Sequence, residues 1–286
     1  LHLFFQELIN GLVVGSLYAL VALGLALVYG TMGIPNFAHG HLYMLGAYVA
    51  FAGVTIAHIG YWPALLLAVL VLAGLGVVLE RVVFRPLRNA PEVNTIIAAV
   101  GVLFFLQTLA QVWFGGDFRV LPTPYDVALH PFGMTITEQQ LIVIIAAAVL
   151  MVLLFLFLKR TLMGATIEAV AQNRAGAALV GIDTDRVSML VFAISAGLAA
   201  AAATLIASIS LISPTMGFSV ILKAFAVIVL GGMGSIPGAI VGAFILAFAE
   251  SFGGTYVSTS YQDVIAFAVL AFILAVKPTG LFAKGT

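Results

Sequence analysis

The chain contains no cysteine, which excludes disulfides, thiolate metal sites and cysteine nucleophiles together. Charge is nearly as scarce. Only 8% of the 286 residues are Asp, Glu, Lys or Arg, against about 25% in average soluble domains. So few charges cannot cover the surface of a water-soluble globule, so a soluble enzyme and a disordered regulator are both excluded. Basic and acidic residues number 11 each, which leaves no basic face for nucleic acid. The phosphate-cradling Gly-x-x-x-x-Gly-Lys-Ser/Thr loop is missing, as are the Gly-x-Ser-x-Gly elbow and His-Glu-x-x-His. The expectation is a chain that is not an enzyme and carries no metal and no cofactor of its own.

What is abundant is apolar: 63% of the residues. A bilayer core about 30 Å thick needs about 20 apolar residues per helix. Nearly charge-free runs occur at Leu8–Tyr29, Ala38–His58, Trp62–Phe84, Thr95–Phe114, Leu141–Leu158, Val187–Ala207 and Val264–Val276. They are apolar throughout rather than alternating, so they read as helices and not as barrel strands. The fold class is therefore an all-α, polytopic transmembrane bundle occupying 1–286 as one membrane domain. Basic residues mark the cytoplasmic side. Arg81, Arg85 and Arg88, then Lys159, Arg160, Arg174 and Arg186, then Lys277 and Lys284 form three basic regions, whereas Gly115–Gln140 has only Arg119. That pattern places the N-terminus outside and Gly115–Gln140 external.

A further apolar stretch, Val220–Ala249, is broken by Gly231-Gly232-Met233-Gly234-Ser235-Ile236-Pro237-Gly238. Its first arm, Val220–Leu230, covers only about 16 Å as helix. Either the helix begins earlier, through Pro214 and Gly217, or it is a partial span that turns back within the membrane. The break echoes Tyr29-Gly-Thr-Met-Gly-Ile-Pro35. Paired glycine/proline breaks in two halves of a transporter point to its substrate path. On this basis Asn36, Phe37, His39, His41, Met233, Ser235 and Ile236 are candidates to line such a path, and Asn36 is expected to cap the helix that follows. His39 and His41 lack the i, i+4 spacing of paired metal ligands.

Ionisable groups within a membrane are functional candidates by their cost. Lys223 and Glu250 lie on the two arms of the broken stretch. Their residue counts from the turn differ by about 12 Å of helix, which argues against a direct pair. Snorkelling to the external headgroups is the alternative for both, and the expected behaviour of Glu80 and Arg81. Segment 159–186 is cytoplasmic. Within it Met163, Ile167, Val170 and Ala177 recur at helical spacing, Glu168, Gln172, Asn173 and Arg174 take the other face, and Gly181 ends the helix. Such a helix either rests on the bilayer or docks a soluble partner.

Asn36-Phe37-Ala38-His39-Gly40, followed by Met44-Leu45-Gly46-Ala47-Tyr48, resembles the permeases of branched-chain amino acid ABC importers, and in particular the LivH-type subunit. The resemblance continues through Arg85-Pro86-Leu87-Arg88, Ala171-Gln172-Asn173, Val180-Gly181-Ile182, Lys223-Ala224-Phe225, Leu230–Ala239 and Pro278-Thr279-Gly280-Leu281. It implies a multi-pass protein of the bacterial inner membrane that provides the path for branched-chain amino acids. Its implied partners are a second homologous permease subunit, two cytoplasmic ATPase subunits that use the ATP, and a substrate-binding protein. The resemblance places the ATPase-coupling segment on Gly164–Gly181, including Glu168, Ala171, Gln172, Asn173 and Arg174. Related permeases handle urea or short amides. The rival from another class is an ion-coupled secondary transporter.

Overall fold

The structure, a computed structural model, describes residues 2–33, 35–130 and 135–282. Ile34 of the first break, residues 131–134 of the external loop and Lys284 lie outside the described residues. Eleven α-helices follow one another among those described: α1 (His2–Met32), α2 (His39–Thr55), α3 (Tyr61–Leu79), α4 (Glu92–Phe114), α5 (Glu138–Arg160), α6 (Leu162–Gln172), α7 (Arg174–Leu179), α8 (Thr184–Ile206), α9 (Met216–Gly231), α10 (Ile236–Tyr256) and α11 (Gln262–Val276). Seven are long and apolar enough to cross a membrane: α1, α3 with the π-turn Glu80–Phe84 that extends it, α4, α5, α8, α10 and α11 with the 3-10 turn Thr259–Tyr261 that precedes it. The α2 and α9 helices are shorter. The expected all-α polytopic bundle is thus the observed one.

Burial sorts the helices into two layers. The α1 and α8 helices are buried along most of their length, whereas α3, α4, α5 and α11 leave most of their surface open. Helices that are apolar on every side suit both places, because in lipid the outward face is as apolar as the core. Small residues set the close packing: Gly46 of α2 lies against Ala200 of α8, and Gly76 of α3 against the Phe192 carbonyl.

The basic residues gather at one end. Arg88, after α3, pairs with Asp185 at the start of α8 and, at 2.7 Å, with Glu80. Arg174, at the start of α7, donates to the Thr31 carbonyl at the end of α1. Gly234 lies beside Gly30. The Leu281 and Phe282 N–H groups donate to the carbonyls of Leu230 and Gly231, at 2.9 and 3.0 Å. These contacts bring the loops after α1, α3, α5, α9 and α11 together. By the basic-residue rule this is the cytoplasmic end. At the opposite end Ala128–Leu129 and Ile136–Thr137 form a two-residue antiparallel ladder leading into α5. Thr137 and Gln140 close a capping box there.

Glu80 does not snorkel. It is fully buried, and its carboxylate is held by the Arg88 guanidinium. The π-turn and the loop to α4 fold back over it. A buried carboxylate is tolerated when a cation is delivered to it in this way.

Candidate functional site

Residues 35–38 are not helical, yet they carry the chain back toward the middle of the bundle. His39, the first residue of α2, places Nε2 3.0 Å from the Val21 carbonyl and Nδ1 3.2 Å from Ser195 Oγ. Val21 is about 16 Å of helix back from Met32, and Ser195 is midway along α8. The α2 helix therefore starts at mid-depth and runs outward. The α9 helix mirrors it. After the outer-end bridge between Arg119 and Ile212, residues 213–215 descend, and α9 runs from mid-depth to the inner end. The starts of these two shorter helices, 17 and 16 residues long, meet at Gly40 and Gly217. A side chain at either position would collide with the other's backbone carbonyl.

This geometry settles the broken stretch. The α9 helix starts after Pro214 and is a partial span, while α10 is a full one. The Gly231–Gly238 break between them is a turn at the inner end, with Met233 exposed, and does not reverse the chain at mid-depth. Gly232 and Gly234 take positive φ, 98° and 80°, which makes the turn tight enough to finish within a few residues. Ser235 then caps α10 by accepting from the Gly238 N–H at 3.2 Å.

The predicted site residues consequently divide. His39 and His41 stand at the mid-depth junction and Asn36 and Phe37 on its inner side, where Phe37 stacks on Phe225, about 12 Å along α9 from Gly217, at 5.0 Å between ring centroids. Met233, Ser235 and Ile236 belong to the inner turn. Asn36 is nearly buried but does not cap α2. Its Oδ1 accepts from the Ala38 N–H at 3.0 Å, one step ahead of the helix, because the N-cap position falls on Ala38. The Asn36 Nδ2 and both His41 ring nitrogens are buried without a protein partner among the described residues.

Lys223 and Glu250 are directly paired, contrary to the depth count. Lys223 Nζ lies 3.1 Å from Glu250 Oε1 and 3.0 Å from Asp263 Oδ1, and Tyr18 donates to Glu250 Oε2 at 2.7 Å. The count measured helix axes only. The long lysine side chain reaches along α9 toward the outer half and closes the difference. Glu250 is only 2% exposed and therefore does not snorkel either. The group ties α9 to α1, α10 and α11.

The coupling segment is two helices rather than one. Asn173 adopts an extended backbone, φ −156°, ending α6 and capping α7 through its Oδ1 and the Gly176 N–H at 2.9 Å. Ile167, Val170 and Ala177 are buried as expected, but Met163 is half exposed. Leu162, Leu179 and Val180 are 88%, 89% and 77% exposed. Ala171 approaches Gly30 of α1. Arg174 donates to the Thr31 carbonyl (3.5 Å), Ser188 Oγ (3.3 Å) and the Thr184 carbonyl (3.4 Å), and lies 3.9 Å from Asp185. Burial, and then the neighbouring Arg88, lower its pKa from the ordinary guanidinium value. Glu168 pairs at the surface with Lys159, at 2.7 Å.

Sequence reasoning missed Phe225, Tyr18, Asp263 and Gly217. Asp263 carried a signal, as an acidic residue at the outer end of an apolar run, and Tyr18 a weaker one, as a hydroxyl within a run. Phe225 lay in the Lys223-Ala224-Phe225 match and Gly217 at the possible helix start, but neither was read as part of the path.

The same arrangement is met in known proteins. The family described as branched-chain amino acid transport system / permease component matches residues 7–274. The chain belongs to this family. LivH of Escherichia coli (strain K12), a high-affinity branched-chain amino acid transport system permease protein, is 38% identical over 98% of this chain and 96% of its own length. BraD of Pseudomonas aeruginosa, described in the same words, is 37% identical over the same shares. A chain of PsaBC from Streptococcus pneumoniae, solved in complex with Fab, shares the fold at a TM-score of 0.51. It is 14% identical and is covered to 93%, against 98% of this chain. Membership and the seven apolar helices make this permease a multi-pass protein of the bacterial inner membrane.

Proposed function

We propose that this permease forms one half of the membrane path of an ATP-driven importer for branched-chain amino acids. The whole chain acts as one unit, with a second homologous subunit completing the path. Two ATPase subunits dock on segment 159–186, and a substrate-binding protein delivers at the outer end. The chain itself supplies passage and no hydrolysis.

The observation that carries this reading is the coupling segment. Leu162, Leu179 and Val180 are among the most exposed apolar residues of the chain, and they stand at the inner end on two short capped helices. Exposed apolar side chains on a rigid support are what a soluble partner buries. Behind that surface, Ala171 and Arg174 grip the end of α1, which adjoins the Gly231–Gly238 turn and leads through residues 35–38 to the mid-depth junction. A push on α6 and α7 therefore has a short, packed route to the place where Asn36, Phe37, His39 and His41 meet α9. A zwitterion passing there needs polar contacts for both charged ends, and non-helical backbone such as 35–38 supplies them without a free buried charge.

Reconstitution tests the reading. Proteoliposomes holding the chain with its second permease subunit, ATPases and binding protein should take up labelled leucine only with ATP inside the ATPase-accessible compartment. Urea or acetamide uptake in place of leucine would assign the short-amide alternative. Leucine uptake by the chain alone, driven by a proton or sodium gradient, would overturn the importer reading.

A further inference from the structure

A second polar site lies at the outer end, away from the mid-depth junction. Between α1, α10 and α11 a cavity of about 220 Å3 is lined by Glu7, Asn10, Glu250, Ser251, Thr255 and Gln262 among others. In a chain with so little charge, this concentration of oxygen-bearing side chains calls for a physical reason. The two carboxylates differ. Glu250, at the back, is already matched by Lys223 and Tyr18. Glu7 is only 8% exposed, and its partners among the described residues are neutral donors. Ser251 Oγ donates to Oε2 at 2.5 Å, and Asn10 Nδ2 stands 3.4 Å from each carboxylate oxygen. A buried carboxylate without a cation is costly, and this one faces an open volume.

We propose that the cavity is a binding site for a primary ammonium group presented at the outer surface of the membrane. An ammonium brings three donors and one positive charge. Glu7 supplies the countercharge, and the hydroxyl and amide oxygens of Thr255 and Gln262 take the remaining donors. The volume exceeds what a bare metal ion fills and falls below the usual range of drug-sized pockets, so it suits an ammonium on a short carbon chain. Two sources share that chemistry: a free amino acid at the outer end and the ethanolamine headgroup of a phospholipid. The surroundings fit the headgroup, because Phe248, Phe252 and Tyr256 form a ladder on α10 with ring centroids 6.2 Å apart, joined by Phe4 of α1 at 5.3 Å from Phe252. Tyrosine rings such as Tyr256 collect at the level of the lipid headgroups, and the phenylalanines beside it present an apolar face to acyl chains. The proposal stands whether or not the chain imports amino acids, since it concerns binding alone.

The test is native mass spectrometry of the full-length chain, with whatever subunits co-purify, in detergent. Dioleoyl phosphatidylethanolamine, dioleoyl phosphatidylcholine and leucine are titrated separately. The expected result is that the ethanolamine lipid is retained about tenfold more strongly than the choline lipid, as one charge-assisted hydrogen-bond set implies, and that Glu7→Gln abolishes the difference. Glu7→Gln keeps the shape that Ser251 and Asn10 recognise. Thr255→Val, at an exposed position, gives a second reading and should reduce the preference without removing it. Leucine binding lost in Glu7→Gln, with no preference between the lipids, would keep the ammonium site and assign it to the amino acid. Equal retention of both lipids with no Glu7-dependent leucine binding would overturn the proposal. So would displacement of the bound ligand by sodium at equal concentration.

Discussion

Two glycine/proline breaks of nearly the same composition do opposite things in this permease. The first, beginning at Gly30 in the last turn of α1, leaves the inner end and reaches mid-depth through the non-helical residues 35–38, where His39 opens a shorter helix. The second, Gly231–Gly238, stays at the inner end and turns the chain within a few residues into a full span. They lie side by side, Gly234 against Gly30, without being symmetry equivalents. The structural counterpart of the first break is the descent at residues 213–215, which opens α9 as 35–38 opens α2. What separates the cases is where the freed backbone groups find partners. Asn36 and its surroundings lie inside the bundle, whereas the second turn is satisfied by Ser235 and by the N–H groups of Leu281 and Phe282. Composition marks a break; the covering residues decide its depth.

The largest effect should come from the junction the first break creates. Gly40→Ala forces two backbones apart, and overpacking of this kind should cost roughly 3 kcal/mol or more. Little folded protein should survive detergent extraction, as judged by size-exclusion chromatography. Recovery at the level of the unsubstituted chain would show that α2 and α9 do not meet as described.

Next comes the pin that holds the short helix. Lys223→Met leaves the Glu250 carboxylate with Tyr18 alone, and breaking a buried pair costs about 3 kcal/mol. The double change Lys223→Met with Glu250→Gln should recover most of the thermal stability. Additive losses in the double variant would contradict the pairing.

A smaller effect belongs to the second break. Gly234→Ala meets no close neighbour, so its cost is that of a positive φ, about 1 kcal/mol, and transport should persist. Abolished transport in a stable Gly234→Ala protein would bring the inner turn into the path and erase the contrast between the breaks.

Smallest in stability is Arg174→Ala, at under about 1 kcal/mol, because the side chain is partly exposed. Its effect should appear in coupling: substrate-stimulated ATP hydrolysis continues while leucine uptake falls. Uptake and hydrolysis falling in proportion would assign Arg174 a purely structural part.

Much of the fold was legible in the sequence. Apolar runs gave the spans, and Arg85, Arg88, Lys159 and Arg186 gave their direction, because hydropathy and basic-residue bias are local properties. Depth was not legible. Ala38–His58 reads as an ordinary span, and nothing in its composition says that α2 begins halfway across. The Lys223–Glu250 pair was missed because counting along ideal axes omits side-chain reach. Glu80 was misread because its partner, Arg88, arrives only after the chain folds back. Asn173 was taken as one residue of a polar face, although an asparagine ahead of Arg174-Ala-Gly carries the signal of a new helix start. At the candidate path the sequence singled out Asn36, Phe37, His39 and His41, while their neighbours on α9 are brought there only by the tertiary fold.

The missing cysteines allow the most direct test of the mid-depth junction. Phe37→Cys and Phe225→Cys, introduced together, provide the only thiols in the chain, at positions whose rings now stack. A short bis-methanethiosulfonate reagent should link them within one chain and stop ATP-driven leucine uptake, with reductant restoring it. Failure of the two thiols to link, or undiminished uptake by the linked protein, would contradict the meeting of α2 and α9 on the substrate path.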